Sequence, residues 1–371
     1  MRGNKKEDIP KEIAASKRKF LPVILSGGAG TRLWPVSTQS NPKPFMRMPD
    51  GQTLLQKTYR RALGMQDAGT VLTVTNVDFI IQTKDVFRKC GEEANNEFIL
   101  EPEGRNTAAA IGAAALHACV KYGPETVILS MPADHLIENQ TEFYDRVATA
   151  RVLAEQGRIV TFGIVPTYPE TGFGYIEVSG RNVLRFIEKP TQKIAEEYTA
   201  SGNFYWNAGI FCFRADTMLE EMKTHAPEVL NGIIRCYKAS DGHGSESKII
   251  SMHADIFSKI PSISIDRAVM EKTERISVIP CEIGWNDIGS WTAVANTLPG
   301  DINGNRILGE AILEDAKNCF FYGNGRTVAL CGVEDLIVVD TPDGLLIAKK
   351  EYAQNVGKMA AKLRKREPCK L

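Results

Sequence analysis

Residues Leu21-Pro22-Val23-Ile24-Leu25 form an apolar run that stops at Ser26-Gly27-Gly28-Ala29-Gly30-Thr31-Arg32. A run of this length that ends on small residues reads as a buried strand entering a loop. Three glycines within four positions let backbone N–H groups approach a ligand without interference from Cβ. Arg32, and Lys43 in the following Pro42-Lys43-Pro44, add positive charge. The combination reads as a polyphosphate cradle built from Gly27, Gly28, Gly30, Thr31, Arg32 and Lys43; a plain turn needs neither cation. A P-loop would require Gly-Lys-Ser/Thr after four spacer residues, and the dinucleotide motif a glycine where Leu33 stands. Neither pattern is met. An NAD site would also want an acidic ribose ligand about 20 residues on, the region that Pro42-Lys43-Pro44 occupies.

Similar short runs recur at Val71 to Val74, Phe98 to Leu100, Val127 to Leu129 and Ile159 to Phe162. Between them lie helical patterns, Thr53 to Leu63 opening on a Thr53/Gln56 capping box and Thr107 to Tyr122 rich in alanine. Such alternation predicts an α/β fold with a mainly parallel sheet covered on both faces, its ligands at the carboxyl ends of the strands. Shorter strands follow at Tyr175 to Val178, Val183 to Ile187 and Gly209 to Phe213, with helices at Thr191 to Ala200 and Ala215 to Lys223. The polar, glycine-rich segment 241–247 reads as a loop. From Gly300 to Ala348 short β-type runs separated by Gly, Asn and Asp predict a small all-β appendage. A helix over Tyr352 to Lys365 closes the chain, its basic end suited to the helix dipole. The expected units are a charged tail, 1–19, a nucleotide-handling domain, 20–298, and the appendage with its terminal helix, 299–371.

Lys+Arg and Asp+Glu both number 45, so no global field would recruit nucleic acid or an anionic membrane, and an anionic substrate must be held by locally placed cations. The eight cysteines contain no C-x-x-C pair and mostly sit in apolar runs, as thiols do in a reducing compartment. The N-terminal residues have no apolar core of a signal peptide, and no run of about 18 apolar residues occurs. A cytoplasmic location is expected.

The run Gly-Gly-x-Gly-Thr-Arg-Leu-Trp-Pro with its following Pro-Lys resembles the signature of bacterial mannose-1-phosphate guanylyltransferases. Six further segments are similar to that family in the same order. They are Glu101-Pro-Glu-Gly-Arg-Asn-Thr107, Pro132-Ala-Asp-His135, Glu170-Thr-Gly-Phe-Gly-Tyr-Ile176, Phe186-Ile-Glu-Lys-Pro190, Trp206-Asn-Ala-Gly209, and Ser264-Ile-Asp-Arg-Ala-Val-Met-Glu271 leading to Trp285-Asn-Asp-Ile-Gly-Ser-Trp291. Departures are small: Thr38 and Gln39 where relatives tend to carry Arg, Pro44 for Gln, and Ala109 for Pro. The resemblance implies a Rossmann-like mixed, mainly parallel sheet with helices on both faces, and an appendage of left-handed β-helix type. It implies that GTP and mannose 1-phosphate give GDP-mannose and diphosphate with Mg²⁺. The alternatives are a different sugar 1-phosphate or nucleotide, or a non-catalytic sugar-nucleotide binder. Longer members continue into a cupin domain that isomerises mannose 6-phosphate, and that second activity is expected to be missing here. A β appendage after a catalytic unit often serves association, which allows a homodimer.

In such a reaction the sugar phosphate attacks the α-phosphorus in line, so negative charge must be neutralised and aligned. A phosphate monoester is largely dianionic at pH 7, its second pKa being about 6, so no general base is needed. Asp134, just past the strand Thr126 to Met131, and Asp287, between two tryptophans, could offer hard Mg²⁺ its one or two carboxylates, but each taken alone reads more readily as a loop aspartate capping a helix or turn. The resemblance assigns both to the metal. It further implies that Gly172, Gly174 and Asn207 line the sugar pocket, that Glu188 accepts from sugar hydroxyls, and that Lys189 meets the sugar's phosphate. Arg105 and Asn106 join the nucleotide site. Related thymidylyl and uridylyl enzymes read the base with Gln in a Gln-Pro motif; here the motif is Glu101-Pro102, and a carboxylate suits guanine's adjacent N1–H and amine donors. His135 invites a metal or acid–base role, but a lone histidine in a motif is more often a hydrogen-bonded structural residue.

Overall fold

The alternating apolar pattern of the first half becomes alternating strands and helices in the computed structural model, which describes residues 19–366 apart from 28–29, 92–94, 181, 244–246 and 324. The expectations for Gly28, for the tail 1–18 and for the centre of 241–247 lie outside the described residues. In chain order the elements are β1 (Phe20–Ser26), α1 (Leu54–Leu63), β2 (Thr70–Asn76), α2 (Ile80–Arg88), β3 (Asn95–Glu101), α3 (Asn106–Tyr122), β4 (Val127–Pro132), β5 (Leu136–Ile137), α4 (Gln140–Glu155) and β6 (Ile159–Ile164). Then come β7 (Gly174–Ser179), β8 (Asn182–Glu188), α5 (Gln192–Ser201), β9 (Phe204–Arg214), α6 (Ala215–His225), α7 (Pro227–Ala239), β10 (Ile249–Ser251), α8 (Ala254–Phe257), β11 (Ile276–Cys281), β12 (Trp285–Asn286) and α9 (Trp291–Ala295).

The main sheet runs β10-β3-β2-β1-β4-β9-β6-β11, with β7 and β8 hung from β9. The pairs from β10 to β4, and β6 with β11, are parallel, whereas β9 runs antiparallel to both β4 and β6. Side chains alternate across the sheet, and β1 shows the consequence. Leu21 and Val23 pack with α3, α6 and α7, while Phe20 and Ile24 pack with α1, α2 and α4. Gly112 lets the alanine-rich α3 lie close to its neighbours, since a Cβ there would come within 2.5 Å of Ile233 in α7. The capping box of α1 forms as the sequence indicates, Gln56 N donating to Thr53 Oγ1 and Thr53 N to Gln56 Oε1.

The appendage contains β13 (Arg306–Leu308), β14 (Ala311–Glu314), β15 (Phe320–Gly323), β16 (Val328–Cys331), β17 (Leu336–Thr341) and β18 (Gly344–Lys349), followed by a 3-10 turn, Lys350–Asn355, and α10 (Val356–Arg366). Parallel ladders β13-β15-β17 and β14-β16 stack as the coils of a β-helix, and β18 closes antiparallel on β17. One apolar cluster joins this unit to the first domain: Phe320, Ile337, Val339 and Leu346 pack with Leu33 of the glycine loop and with Ile288 and Trp291 beside Asp287.

Candidate active site

β1 lies between β2 and β4, so the loops leaving its end and theirs diverge and open a crevice at the carboxyl edge of the sheet. Gly27 after β1, Glu101 at the end of β3 and Asp134 after β4 line one cavity there, of about 490 Å³, together with Asn106, Gly209 and Asp266.

The segments that carry two aspartates distant in sequence are joined by a short ribbon. β5 begins two residues after Asp134, β12 ends one residue before Asp287, and the two strands pair antiparallel, Asn286 opposite Leu136. Lys43 ties the loops together. Its buried ammonium lies 2.8 Å from Asp134 Oδ2 and donates to the carbonyl of Asp287. Gly30, at φ 57°, makes room for it, because a Cβ there would fall 2.3 Å from Lys43 Cβ. Burial would raise the pKa of Asp134, but the charge and hydrogen bond of Lys43 outweigh that and hold its carboxyl below the ordinary value. The Gly289 amide donates to Asp287 Oδ1. Each carboxylate thus retains a second oxygen. Among the described residues no three metal-ligating side chains converge. Two carboxylates with phosphate oxygens and water still fit a hard divalent cation such as Mg²⁺.

His135 is held structurally. Trp285 Nε1 donates to its Nδ1 at 3.2 Å, which makes Nδ1 an acceptor and leaves the proton of the neutral ring on Nε2. Burial, partly offset by Asp134, keeps its pKa below the usual imidazole value.

Glu101 is 6% exposed, and its Oε1 is buried without a hydrogen-bond partner among the described residues. Burial pushes its pKa up to about 8. A buried carboxyl oxygen left without a donor costs stability, and a donor from a ligand or a bound water in the cavity would offset that cost. Arg105 is engaged with Glu103, and Asn106, at φ 64°, uses its side-chain oxygen to accept from the Thr107 amide.

The sugar candidates gather on β7, β8 and β9. Gly174 faces Glu188 across the ladder, and a Cβ there would meet Glu188 Oε2 at 2.9 Å. Lys189, at φ 50°, lies with its ammonium 2.9 Å from Glu188 Oε1. Asn207 accepts from Thr161 Oγ1 and the Gly209 amide and donates to Asp266 Oδ1 at 3.0 Å. No sequence pattern singles out Asp266, although it lies in the family-like segment Ser264 to Glu271. Burial first, and then the field of Glu188, raise its pKa to about 7. No sequence spacing brings these two carboxyls together; only the turn after Ile265 does.

Arg32 and Gly172 stand apart from the crevice. They line a second cavity, of about 400 Å³, with Asp287, Lys350 and Gln354. Arg32 Nη1 donates to Gln354 Oε1 at 3.0 Å, so the appendage holds this cation. Gly172 N donates to Glu170 Oε1 at 2.7 Å. The Lys43 bridge lies between the two cavities, Asp134 lining one and Asp287 the other.

Residues 21–301 match the nucleotidyl transferase family, and residues 309–363 match the MannoseP isomerase/GMP-like beta-helix domain. The chain is 40% identical over 347 residues to alginate biosynthesis protein AlgA of Pseudomonas aeruginosa, covering 91% of this chain and 70% of that protein. It is 39% identical over 348 residues to the mannose-1-phosphate guanylyltransferase of Klebsiella pneumoniae, covering 91% and 73%. This chain belongs to the mannose-1-phosphate guanylyltransferase family of nucleotidyl transferases. The crystal structure of mannose-1-phosphate geranyltransferase from Thermus thermophilus shares its fold, with a TM-score of 0.81 and 31% identity over 93% of this chain and 99% of that one. The structure of mannose-6-phosphate isomerase from Helicobacter pylori, 29% identical, matches 72% of this chain at a TM-score of 0.62. As a nucleotidyltransferase, the chain handles a nucleotide and a sugar phosphate. No described helix is long and apolar enough to cross a membrane.

Proposed function

We propose that this chain makes GDP-mannose and diphosphate from GTP and mannose 1-phosphate, with guanine at Glu101, the α-phosphate near Asp134 and the sugar against Glu188, Asn207 and Asp266. The observation that carries this is the crevice, which Asp134 lines together with Glu101, whose buried Oε1 has no partner among the described residues, and with Asp266, hydrogen-bonded to the Asn207 amide. A phosphate oxygen of the sugar phosphate forms the new bond to the α-phosphorus, and the bond to the β-phosphate oxygen breaks, diphosphate leaving with the electron pair. The nucleophile is already dianionic at neutral pH, so no side chain need remove a proton. Asp134 and Asp287 would hold Mg²⁺. The ion would supply charge neutralisation at the reacting phosphates. Lys43 fixes the spacing of the two aspartates and adds its own charge, and Lys189 approaches the sugar's phosphate. Gly27, Gly30 and Thr31 would contact the rest of the triphosphate, Arg32 would reach it from the adjoining cavity across the Lys43 bridge, and Arg105 and Asn106 would lie at its nucleoside end.

A matrix of GTP, UTP, dTTP and ATP against mannose, glucose and fucose 1-phosphates, with Mg²⁺ and diphosphate release as readout, tests this. The GTP and mannose 1-phosphate pair should dominate by at least about tenfold, equivalent to about 1.4 kcal/mol. In the same assay Asp134→Asn and Asp287→Asn should each lower turnover at least about a hundredfold, the scale of losing a group that stabilises transition-state charge, while the far-UV circular dichroism is kept. Turnover close to wild type at limiting Mg²⁺ would remove that aspartate from the metal site.

A further inference from the structure

Behind the catalytic ribbon lies a third pocket, of about 490 Å³, walled by Lys57, Arg60 and Arg61 of α1, by β5, and by Gln140 and Tyr144 of α4. Positions 57, 60 and 61 are three and four apart, so all three cations share one helix face. Arg61 is the unusual member. It is 2% exposed, and no carboxylate pairs with it among the described residues. Its Nε donates to Gln140 Oε1 at 3.1 Å and its Nη1 to Thr58 Oγ1 at 3.3 Å, the guanidinium lies 5.8 Å from the ring of Phe143, and Nη2 has no partner among the described residues. Burial lowers its pKa to about 10, which leaves it charged at neutral pH. A buried charge without a counter-ion is costly, and neutral amide and hydroxyl partners offset only part of that cost. Among the described residues the wall carries three cations and two carboxylates, Asp50, which pairs with Lys57, and Glu138, so one positive charge is left over.

We propose that this pocket is a second anion site, which takes the phosphate group of a small phosphorylated ligand between Lys57 and Arg60 over the Arg61 guanidinium. An anion there supplies the missing countercharge through its field even without reaching Nη2. The pocket's wall is β5, which starts two residues after Asp134 and pairs with β12 next to Asp287. Occupancy therefore bears on the segment that positions both aspartates. The site stands on Arg61 and its neighbours, independently of the substrate assignment above.

The test is thermal unfolding of the full chain titrated with inorganic phosphate, against chloride at matched ionic strength. Ligand at a hundred times its Kd should raise the midpoint by about 3 °C for a chain of this size. Arg32→Ala, which weakens anion binding at the proposed catalytic loop, should keep the shift, and the double variant Lys57→Gln, Arg60→Gln should lose at least half of it. Arg61→Met should unfold no lower than wild type in phosphate-free buffer and should not respond to phosphate. If that variant does not fold, the exposed pair still decides. A diphosphate arm in the Arg32→Ala background separates the sources: a response at lower concentration than inorganic phosphate makes the reaction's own product the ligand. The proposal is overturned by no shift over chloride, by a full shift in the double variant, or by loss of the shift in Arg32→Ala alone. Dimerisation that Arg61→Met abolishes, without any response to phosphate, would also overturn it, because the countercharge would then come from a second copy.

Discussion

Glu101 joins two properties that oppose each other. The residue ends β3 with its carboxyl buried, and its pKa of about 8 means that the folded protein prefers it protonated at neutral pH. The unfolded chain, with a carboxyl near 4.5, prefers it ionised. Folding therefore takes up a proton between these values, and the stability contributed by this group falls as pH rises from about 4.5 to about 8. Glu101→Gln removes that loss. Its thermal midpoint should exceed wild type by a few degrees at pH 8 and match it near pH 4, a comparison that differential scanning calorimetry makes directly. The same residue should lose function, since the ionised carboxylate is what complements guanine's paired donors. The KM for GTP should fall as pH rises from 7 towards 8 and then level off, a dependence that Glu101→Gln abolishes. The variant should also lose at least about tenfold of its preference for GTP over UTP or dTTP, equivalent to about 1.4 kcal/mol. A variant that is stabilised at pH 8 with its base preference intact would make Glu101 a structural residue and pass base reading to backbone groups near Gly27.

At the scale of elements, local signals were legible and their meetings were not. The Thr53/Gln56 box, the strand ends at Ser26 and Glu101 and the start of α3 are short-range features, set by capping and by apolar runs. Asp266 carries no signal in the sequence because its importance lies in its nearness to Glu188 and Asn207, brought together by β9 and by the turn after Ile265. Arg61 was equally silent, since a basic residue on an amphipathic helix reads as solvated until its burial is known. The hairpin β7-β8 offers the sharpest test of such a meeting. A Cβ on Gly174 would stand 2.9 Å from Glu188 Oε2 and 3.2 Å from the Phe186 ring. The Glu188 carboxylate is the more movable neighbour, so Gly174→Ala should displace it at modest cost to stability. Steady-state kinetics should show the KM for the sugar phosphate raised about tenfold or more and that for the nucleotide within about twofold. Equal changes in both constants would place Gly174 in the general architecture and separate Glu188 from the sugar.

Over the whole molecule the catalytic domain and the appendage share one apolar cluster, an arrangement that the sequence pattern, with its turn-rich break near residue 300, does not reveal. Trp34 of the signature loop packs against this cluster, and Trp291 Nε1 donates to the Trp34 carbonyl at 2.9 Å. A Cβ on Gly344 would lie 2.7 Å from the Trp34 ring, and one on Gly357 3.2 Å from Arg32 Cγ. Two units with separate cores unfold in separate steps; two units that bury the same side chains stabilise each other and unfold together. Calorimetry of the wild-type chain should therefore give a single transition with matching calorimetric and van't Hoff enthalpies. Gly344→Val pries the appendage from Trp34, so it should lower the midpoint and split the transition, the smaller step reporting the β-helix coils. Because Arg32 is held by Gln354 from that same unit, the variant should also raise the KM for GTP severalfold while the KM for mannose 1-phosphate stays close to wild type. Two independent transitions in the wild-type chain, or a split transition with GTP affinity unaltered, would show that the β-helix rests on the signature loop without organising it.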